Sequence, residues 1–167
     1  MSRRKIIILD TSAFVAGFTP STVDLYAYSV QDVERELKDS LALSRFQAAL
    51  KAGKLKILNP EPYFVEEVKE ISKETGDRLY LSEADLHVLA LAIQLKNKSY
   101  SPILVTDDYS MQNVATKMGI KFASLATLGI KYYLKWLVYC PACRHKYPTD
   151  HKNKYCKVCG TKLKIRQ

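Results

Sequence analysis

The chain has 167 residues, 47% hydrophobic and 26% charged, a composition typical of a globular protein with one sizeable core. No apolar run approaches the roughly 18 residues of a membrane-spanning helix. The short run after the first basic residues meets Asp10 at once, unlike a signal peptide, so we expect a cytoplasmic protein. Residues 137–167 carry +7 of the net charge of +9, because eight lysines and arginines there face one aspartate. This excess predicts an anionic partner, nucleic acid first, although a basic tail can also serve solubility alone.

Strands and helices are predicted to alternate along most of the chain. In chain order they are a strand at 5–9, a short helix beginning at residue 10, a strand at 25–29, helices at 30–41 and 42–52, a strand at 55–58, helices at 60–76 and 81–97, a strand at 102–106, a helix at 110–119, a strand at 120–124 and a helix at 126–136. Ser29 or Asp32 is expected to cap the second helix, and Ser82 the helix at 81–97. Strict alternation predicts an α/β fold with a roughly five-stranded parallel sheet covered by helices on both faces.

A change of chemistry near Leu137, from aliphatic residues to cysteine and lysine, predicts two domains, 1–136 and 137–167. In open parallel sheets, active sites lie beyond the carboxyl ends of the strands, where the strand order reverses. Asp10 and Asp107 each follow a predicted strand. If the first and fourth strands are neighbours, these two acids face each other.

Five acids are candidates for a site, and each has a plain structural explanation. Asp10 can cap a helix, Asp85 completes a capping box with Ser82, Asp107 and Asp108 can cap the next helix, and Glu36 can face solvent. Gathered at one end of a sheet, however, carboxylates repel one another unless cations neutralise them, and hard oxygen ligands suit Mg²⁺ or Mn²⁺.

No histidine is well placed as a general base. His87 follows Asp85 by two residues and so points to another side of the helix, and His145 and His151 lie in the basic tail. We therefore expect metal and carboxylate, rather than a protein nucleophile, to carry the chemistry.

Four segments, ILDTSAF, VERELKD, LSEADLHVLALA and ILVTDDYSMQNVA, together resemble the PIN-domain ribonucleases over residues 4–130. The resemblance implies an α/β/α sandwich whose metal-binding acids are Asp10, Glu36, Asp85 and Asp107. Glu34 competes with Glu36 for the second position, and Asp108 is an additional candidate ligand. Ser12 and Thr106 are expected to orient the carboxylates through their hydroxyl groups. Ser12 also stands where a DxD phosphohydrolase needs its second aspartate, and the order of the acids does not fit a receiver domain.

All four cysteines lie in the tail, as Cys140-x-x-Cys143 and Cys156-x-x-Cys159. Paired CxxC units in a cytosolic protein indicate a metal rather than disulfides. Four thiolates suit one structural Zn²⁺, with iron as the chemical alternative, and a closed site of this kind carries no catalysis. Gly160 is expected to adopt a positive φ in the second turn. The metal would supply most of the folding energy of this zinc ribbon.

Cationic side chains between the two cysteine pairs are expected to contact RNA phosphates. They are Arg144, Lys146, Lys152 and Lys154. Aromatic residues near them could stack on unpaired bases or pack between the domains.

A PIN domain followed by a zinc ribbon, with the lead-in KWLVYCPAC, resembles the archaeal form of the NOB-one endoribonuclease family. That resemblance implies maturation of the 3′ end of small-subunit (16S) ribosomal RNA with one Zn²⁺ and two Mn²⁺ or Mg²⁺ ions. The implied partners are the precursor particle and its assembly factors. Two alternatives stay open: a toxin-type PIN ribonuclease acting on tRNA or mRNA, and a non-catalytic RNA-binding assembly factor.

Overall fold

The computed structural model describes residues 2–125, 137–147 and 154–166. The chain divides into two compact units, Met1–Gly129 and Ile130–Gln167. The boundary predicted from the sequence, between residues 136 and 137, stays a prediction. The predicted helix over 126–136 lies outside the described residues.

The first unit contains a five-stranded parallel sheet, which confirms the predicted fold class. Its strands are β1 (Arg4–Leu9), β2 (Tyr26–Ser29), β3 (Leu55–Ile57), β4 (Tyr100–Val105) and β5 (Lys121–Ala123). Their order is β3-β2-β1-β4-β5, so β1 and β4 are neighbours. Leu9 pairs with Val105, and this register brings Asp10 and Thr106 side by side at the carboxyl edge. The order of the strands reverses here, which is where such folds place ligands.

Six helices flank this sheet in the described part of the first unit. They are α1 (Thr11–Val15), α2 (Gln31–Glu36), α3 (Ser40–Lys51), α4 (Pro62–Thr75), α5 (Glu83–Asn97) and α6 (Tyr109–Lys117). Single 3₁₀ turns at Pro20–Thr22 and Arg78–Tyr80 were not predicted. Nowhere in the described ranges does a helix have the length and apolarity needed to cross a bilayer.

The helix expected over 30–41 is shorter than its apolar spacing suggests. It ends at Glu36 because Leu37 is extended (ψ 99°), and α3 begins after Asp39, whose carboxylate accepts a hydrogen bond from the Ala42 N–H at 2.8 Å. The expected side-chain cap is wrong as well. α2 begins after Val30 without a capping hydrogen bond, and the Ser29 hydroxyl donates to the Leu9 carbonyl at 2.8 Å instead.

The core lies between the sheet and α5. Residues 6–9 of β1 are fully buried, and α5 buries every residue from Val88 to Leu95. A helix that is apolar on nearly all sides is enclosed by neighbours, and α5 packs against β4, α4 and α6. This rigid centre holds β1 and the first turn of α5, where Asp10 and Asp85 are attached.

The second unit contains a three-stranded antiparallel sheet with the order β7-β6-β8, formed by β6 (Leu137–Tyr139), β7 (Lys146–Tyr147) and β8 (Lys164–Arg166). A small cluster of Val138, Cys140, Tyr147 and Cys156 is buried beneath it, with Leu163 packed alongside. So few apolar side chains cannot stabilise a unit of this size by burial alone.

Candidate active site and metal centre

Asp10 is a helix cap and a buried acid at once. Its carboxylate accepts a hydrogen bond from the Ala13 N–H at 3.0 Å, which starts α1. The Ser12 hydroxyl donates to the same carboxylate at 2.7 Å, and the Thr106 hydroxyl donates at 2.5 Å from the neighbouring strand end. Only 3% of Asp10 is exposed. Three donors therefore fix the orientation of a carboxylate that solvent hardly reaches.

Ser12 and Thr106 link the ends of β1 and β4. Besides donating to Asp10, the Ser12 hydroxyl accepts from the Asp107 N–H at 3.4 Å, and the Thr106 hydroxyl accepts from the Asp108 N–H at 3.1 Å. Both hydroxyls thus hold the two strand ends in one arrangement. These hydrogen bonds agree with the prediction that both hydroxyls orient the Asp10 carboxylate. The effect of this orientation on function stays a prediction.

Burial raises the pKa of Asp10 from 3.8 to about 6, against the opposing effect of its hydrogen bonds from Thr106, Ser12 and Ala13. The negative charge of Asp85 is the smallest contribution to this rise. A buried carboxylate with an acidic neighbour lacks a positive partner. A bound cation would meet that need.

Without added Mg²⁺ or Mn²⁺, the free energy of unfolding is expected to fall as the pH rises from about 4 through 6. The reason is that folded Asp10, with a pKa of about 6 against 3.8, binds more protons than the unfolded chain in this window. The full contribution of this group is about 3 kcal/mol. Urea denaturation of the wild type and of Asp10→Asn across this pH range measures it, because asparagine keeps the helix cap without the charge. Parallel stability curves for the two proteins would contradict the expectation.

Asp85 forms the predicted capping box in the first turn of α5. Its carboxylate accepts the Ser82 N–H at 2.8 Å, and its own N–H donates to the Ser82 hydroxyl at 3.1 Å. Burial raises the pKa of Asp85, its hydrogen bonds with Ser82 lower it, and the charges of Asp108 and Glu36 raise it. The structure confirms the capping box, and the part of Asp85 in a metal site stays a prediction.

Glu36 and Glu34 lie in different surroundings at the end of α2. The Thr11 hydroxyl, at the start of α1, donates to Glu36 at 2.9 Å, and the Glu36 charge acts on Asp85. Glu34 instead accepts a hydrogen bond from the Gln31 side chain at 2.6 Å. Of the two, Glu36 is the one that the fold places beside the other acids.

Asp107 and Asp108 also differ in what their carboxylates do. Asp107 is exposed and accepts the Leu125 N–H at 3.1 Å, beyond β5. Asp108 caps α6 by accepting the Met111 N–H at 3.1 Å, and its charge raises the pKa of Asp85. The structure therefore couples Asp10, Glu36, Asp85 and Asp108 electrostatically, with Asp107 adjacent in the chain.

His87 has a partner that the sequence did not indicate. Its Nδ1 lies 2.5 Å from the Asp32 carboxylate, which joins α5 to α2. That His87 does not serve as a base beside Asp85 stays a prediction. Asp32 lies four residues before Glu36, so both side chains project from one side of α2. This spacing was the sequence signal that could have pointed to Asp32.

The acids offer oxygen ligands only, which fits the hard cations Mg²⁺ and Mn²⁺. Among the described residues, the four cysteines are the one group whose ligand atoms already converge as a metal centre requires. The carboxylate oxygens of the first unit do not form such a converged group within the described residues. The carboxylate oxygens of the acids are suitable ligands for such ions. The Asp10 carboxylate is already held in one orientation by its three hydrogen-bond donors.

The four cysteine sulfurs lie within 4.8 Å of one another, which fits a tetrahedral zinc site. Two closest pairs are Cys140–Cys159 at 3.3 Å and Cys143–Cys156 at 3.5 Å. The Tyr147 hydroxyl lies 3.0 Å from the Cys156 sulfur, a polar neighbour that the sequence did not predict. Iron stays a chemical alternative for the same ligands.

The two CxxC turns repeat one backbone geometry. After each pair an N–H returns to the first cysteine carbonyl at 2.9 Å, from Arg144 to Cys140 and from Gly160 to Cys156. Gly160 has the predicted positive φ, 71°, and Arg144 adopts the same conformation at 61° without being glycine. Arginine in this region is strained unless its surroundings hold it, and closure of the turn around a bound metal would do so.

The cations predicted to contact RNA are exposed where the structure describes them. Arg144, Lys146 and Lys154 are accessible to solvent. Lys152 lies outside the described residues. Their role in RNA binding stays a prediction.

The family described as the PIN domain of ribonuclease matches residues 7–95. The endoribonuclease Nob1 of Methanothermobacter thermautotrophicus is 35% identical over 156 residues, which cover 93% of this chain and 90% of that protein. The chain belongs to the Nob1 family of PIN-domain endoribonucleases. PIN nucleases use divalent metal ions, in agreement with the oxygen ligands of the first unit.

Other relatives show how far the similarity to the Nob1 family extends. Nob1 of Methanocaldococcus jannaschii is 36% identical over 96% of this chain and 77% of its own length. Ribonuclease VapC1 of Thermoplasma acidophilum is 34% identical over only 66% of this chain and 53% of its own length. Nob1 relatives therefore match both units, including the cysteine unit.

Proposed function

We propose that this endoribonuclease hydrolyses a phosphodiester bond in precursor 16S ribosomal RNA and so generates the mature 3′ end. The observation that carries the proposal is the similarity to Nob1 across both units, the PIN unit and the basic Cys₄ unit. A toxin-type ribonuclease has less support, since the VapC1 similarity covers a smaller part of the chain. The substrate would be the RNA of a small-subunit particle in the cytoplasm, with assembly factors as protein partners.

Asp10, Glu36, Asp85 and Asp107, with Asp108, are proposed to hold two divalent ions. Such ions, when bound, make water a stronger nucleophile and stabilise charge on the leaving oxygen. Ser12 and Thr106 keep the Asp10 carboxylate in place through the hydrogen bonds described above. The negative charges of these carboxylates repel the phosphate of the RNA until bound cations neutralise them. RNA and metal ions are therefore expected to bind together.

The Cys₄ unit is proposed to hold one Zn²⁺ and to dock the enzyme on folded ribosomal RNA. Arg144, Lys146, Lys152 and Lys154 would contact phosphates, which give affinity without reading the sequence. Cleavage specificity would then come from where docking places the acids along the RNA.

Incubation of the full chain with a transcript spanning the 3′ end of 16S ribosomal RNA, with Mn²⁺, tests the proposal. Mapping the 5′ end of the released fragment is expected to show one main cut at the mature terminus. Transfer RNA and messenger RNA serve as competitors in the same reaction. Faster cleavage of either competitor would favour the toxin-type function, and no cleavage of any RNA would favour a non-catalytic assembly factor.

Asp108→Asn is expected to weaken Mn²⁺ binding about tenfold or more, because it removes a charge that faces Asp85. Asparagine still caps α6, so folding is preserved. Asp107→Asn is expected to weaken binding at least as much, because Asp107 is one of the four proposed main ligands, and its amide oxygen can still accept the Leu125 N–H so that the fold is kept. Isothermal titration with Mn²⁺ compares the two variants. A larger loss in Asp108→Asn would show that Asp108 is the principal ligand and that Asp107 assists it.

A further inference from the structure

A cavity of about 470 Å³ lies beside the acids, at the carboxyl edge of β4 and β5. It is lined by Asp107, Tyr109, Gln112, Phe122, Ala123 and Ser124. Its volume lies within the roughly 300–1,000 Å³ of pockets that bind small ligands. Asp107 belongs both to this cavity and to the proposed set of metal ligands, so an occupant of the cavity would be adjacent to the reacting phosphate.

Two aromatic side chains of the cavity are unusually accessible. Tyr109, the first residue of α6, is 82% exposed, and Phe122 in β5 is 42% exposed. Neither ring stacks on another aromatic ring within the described residues. Exposed apolar surface next to a functional site commonly marks a binding surface. Rings that are accessible in this way can stack on a flat ligand.

Gln112 adds a hydrogen-bond acceptor whose orientation is fixed. Its Nε2 donates to the Thr106 carbonyl at 3.0 Å, and since a carbonyl only accepts, the amide nitrogen must face it. Oε1 of Gln112 makes no hydrogen bond to any residue that the structure describes. An oxygen acceptor is thus available at the wall of an aromatic cavity.

We propose that this cavity binds one unpaired nucleobase of the RNA, next to the bond that is cleaved. Stacking on Tyr109 and Phe122 would hold the base, as aromatic side chains do in single-stranded RNA recognition. The amino or imino N–H groups of a base complement the Gln112 oxygen. A phosphate group fits the cavity poorly, because none of the six lining residues is cationic.

The proposal rests on the cleavage of RNA and not on which RNA is cleaved. A base bound beside Asp107 would set the position of the neighbouring phosphodiester relative to the acids. Tyr109 and Phe122 would therefore be positioning residues that select unpaired RNA at the cleavage point.

The test measures affinity with single-stranded oligonucleotides in which one nucleotide at a time lacks its base. Full-length Asp10→Asn protein serves as the background, so that RNA stays intact, and fluorescence anisotropy reports the dissociation constant. Loss of the base at one position is expected to weaken binding roughly 5- to 100-fold. Adding Tyr109→Ala should cause a similar loss with intact RNA and remove the sensitivity to the missing base. Tyr109→Phe should restore both.

Tyr63→Ala is the matched control, because Tyr63 is a 70% exposed tyrosine on α4 outside the cavity. It should leave the base-by-base profile unchanged. The proposal would be overturned if each missing base changed the dissociation constant equally in Asp10→Asn with and without Tyr109→Ala. The cavity would then be left to a protein partner. Failure of the 16S assignment would appear separately, as cleavage of another RNA by the wild type with the base profile intact.

Discussion

Asp10→Asn is expected to reduce kcat for RNA cleavage about 10³-fold or more, a larger loss than the 10- to 100-fold caused by removing partners of metal ligands. The change replaces a carboxylate, which can hold a cation, by a neutral amide. Folding should be preserved, since asparagine is an equally good helix cap and the substitution removes a buried charge whose pKa is raised to about 6. Single-turnover cleavage and thermal unfolding measure the two effects together.

Two controls separate chemistry from structure in that experiment. Asp24→Asn changes an exposed aspartate outside the acid set and should leave kcat unchanged. Ser12→Ala removes one of the donors to Asp10 and should lower kcat by an intermediate factor, about 10- to 100-fold. Undiminished cleavage by Asp10→Asn would show that this acid set is not the catalytic one.

Cys156→Ser is expected to unfold the second unit and to weaken binding to structured RNA by about tenfold or more. Structural zinc supplies roughly 10–16 kcal/mol to small domains of this kind, and the few buried side chains around Val138 cannot replace it. The first unit has its own core and should stay folded. Metal analysis gives the zinc content, and RNA titration at two salt concentrations gives the affinity and the number of phosphate contacts.

Lys154→Ala is the matched control for the zinc ligand, because Lys154 is exposed in the same unit and is not a ligand. The variant should keep its zinc. The slope of log affinity against log salt concentration should fall by the amount expected for about one lost phosphate contact. If Cys156→Ser lost zinc but bound structured RNA as tightly as the wild type, the docking role of the second unit would be wrong.

The central strands of the sheet were predicted well because β1 and β4 each contain an apolar run. Ile6 to Leu9 could hardly be anything but a buried strand, and Ser82 with Asp85 marked the start of α5 through a local capping box. The pairing of β1 with β4 could only be assumed, because no local signal in the sequence sets the order of the strands. Signals that are contained within a few residues are therefore read reliably from the chain.

Features set by contacts between distant segments could not be read in this way. Apolar spacing carried the predicted helix past Glu36, although the Asp39-Ser40 cap marks a new start there. The His87–Asp32 contact joins residues 55 positions apart. Whether Asp107 or Asp108 faces Asp85 depends on how the chain turns after β4, and neighbouring aspartates have no sequence signal that separates them.

The positive φ of Arg144 shows a related limit. Glycine at position 160 predicts the turn directly, whereas an arginine at the equivalent place does not. Only the repeated return of an N–H to the first cysteine of each pair shows that the two turns are alike. The four cysteines nevertheless defined the metal centre from spacing alone, because two CxxC turns leave few other arrangements.

The end groups of the cleaved RNA test the central claim most directly. If the acids of the first unit hold cations that activate water, the wild type should leave a 5′-phosphate and a 3′-hydroxyl, which ligation and phosphatase treatment of the two fragments can identify. A 2′,3′-cyclic phosphate with a 5′-hydroxyl would mean that the RNA's own 2′-hydroxyl attacks the phosphorus. That result would contradict a water-activating metal site built on Asp10.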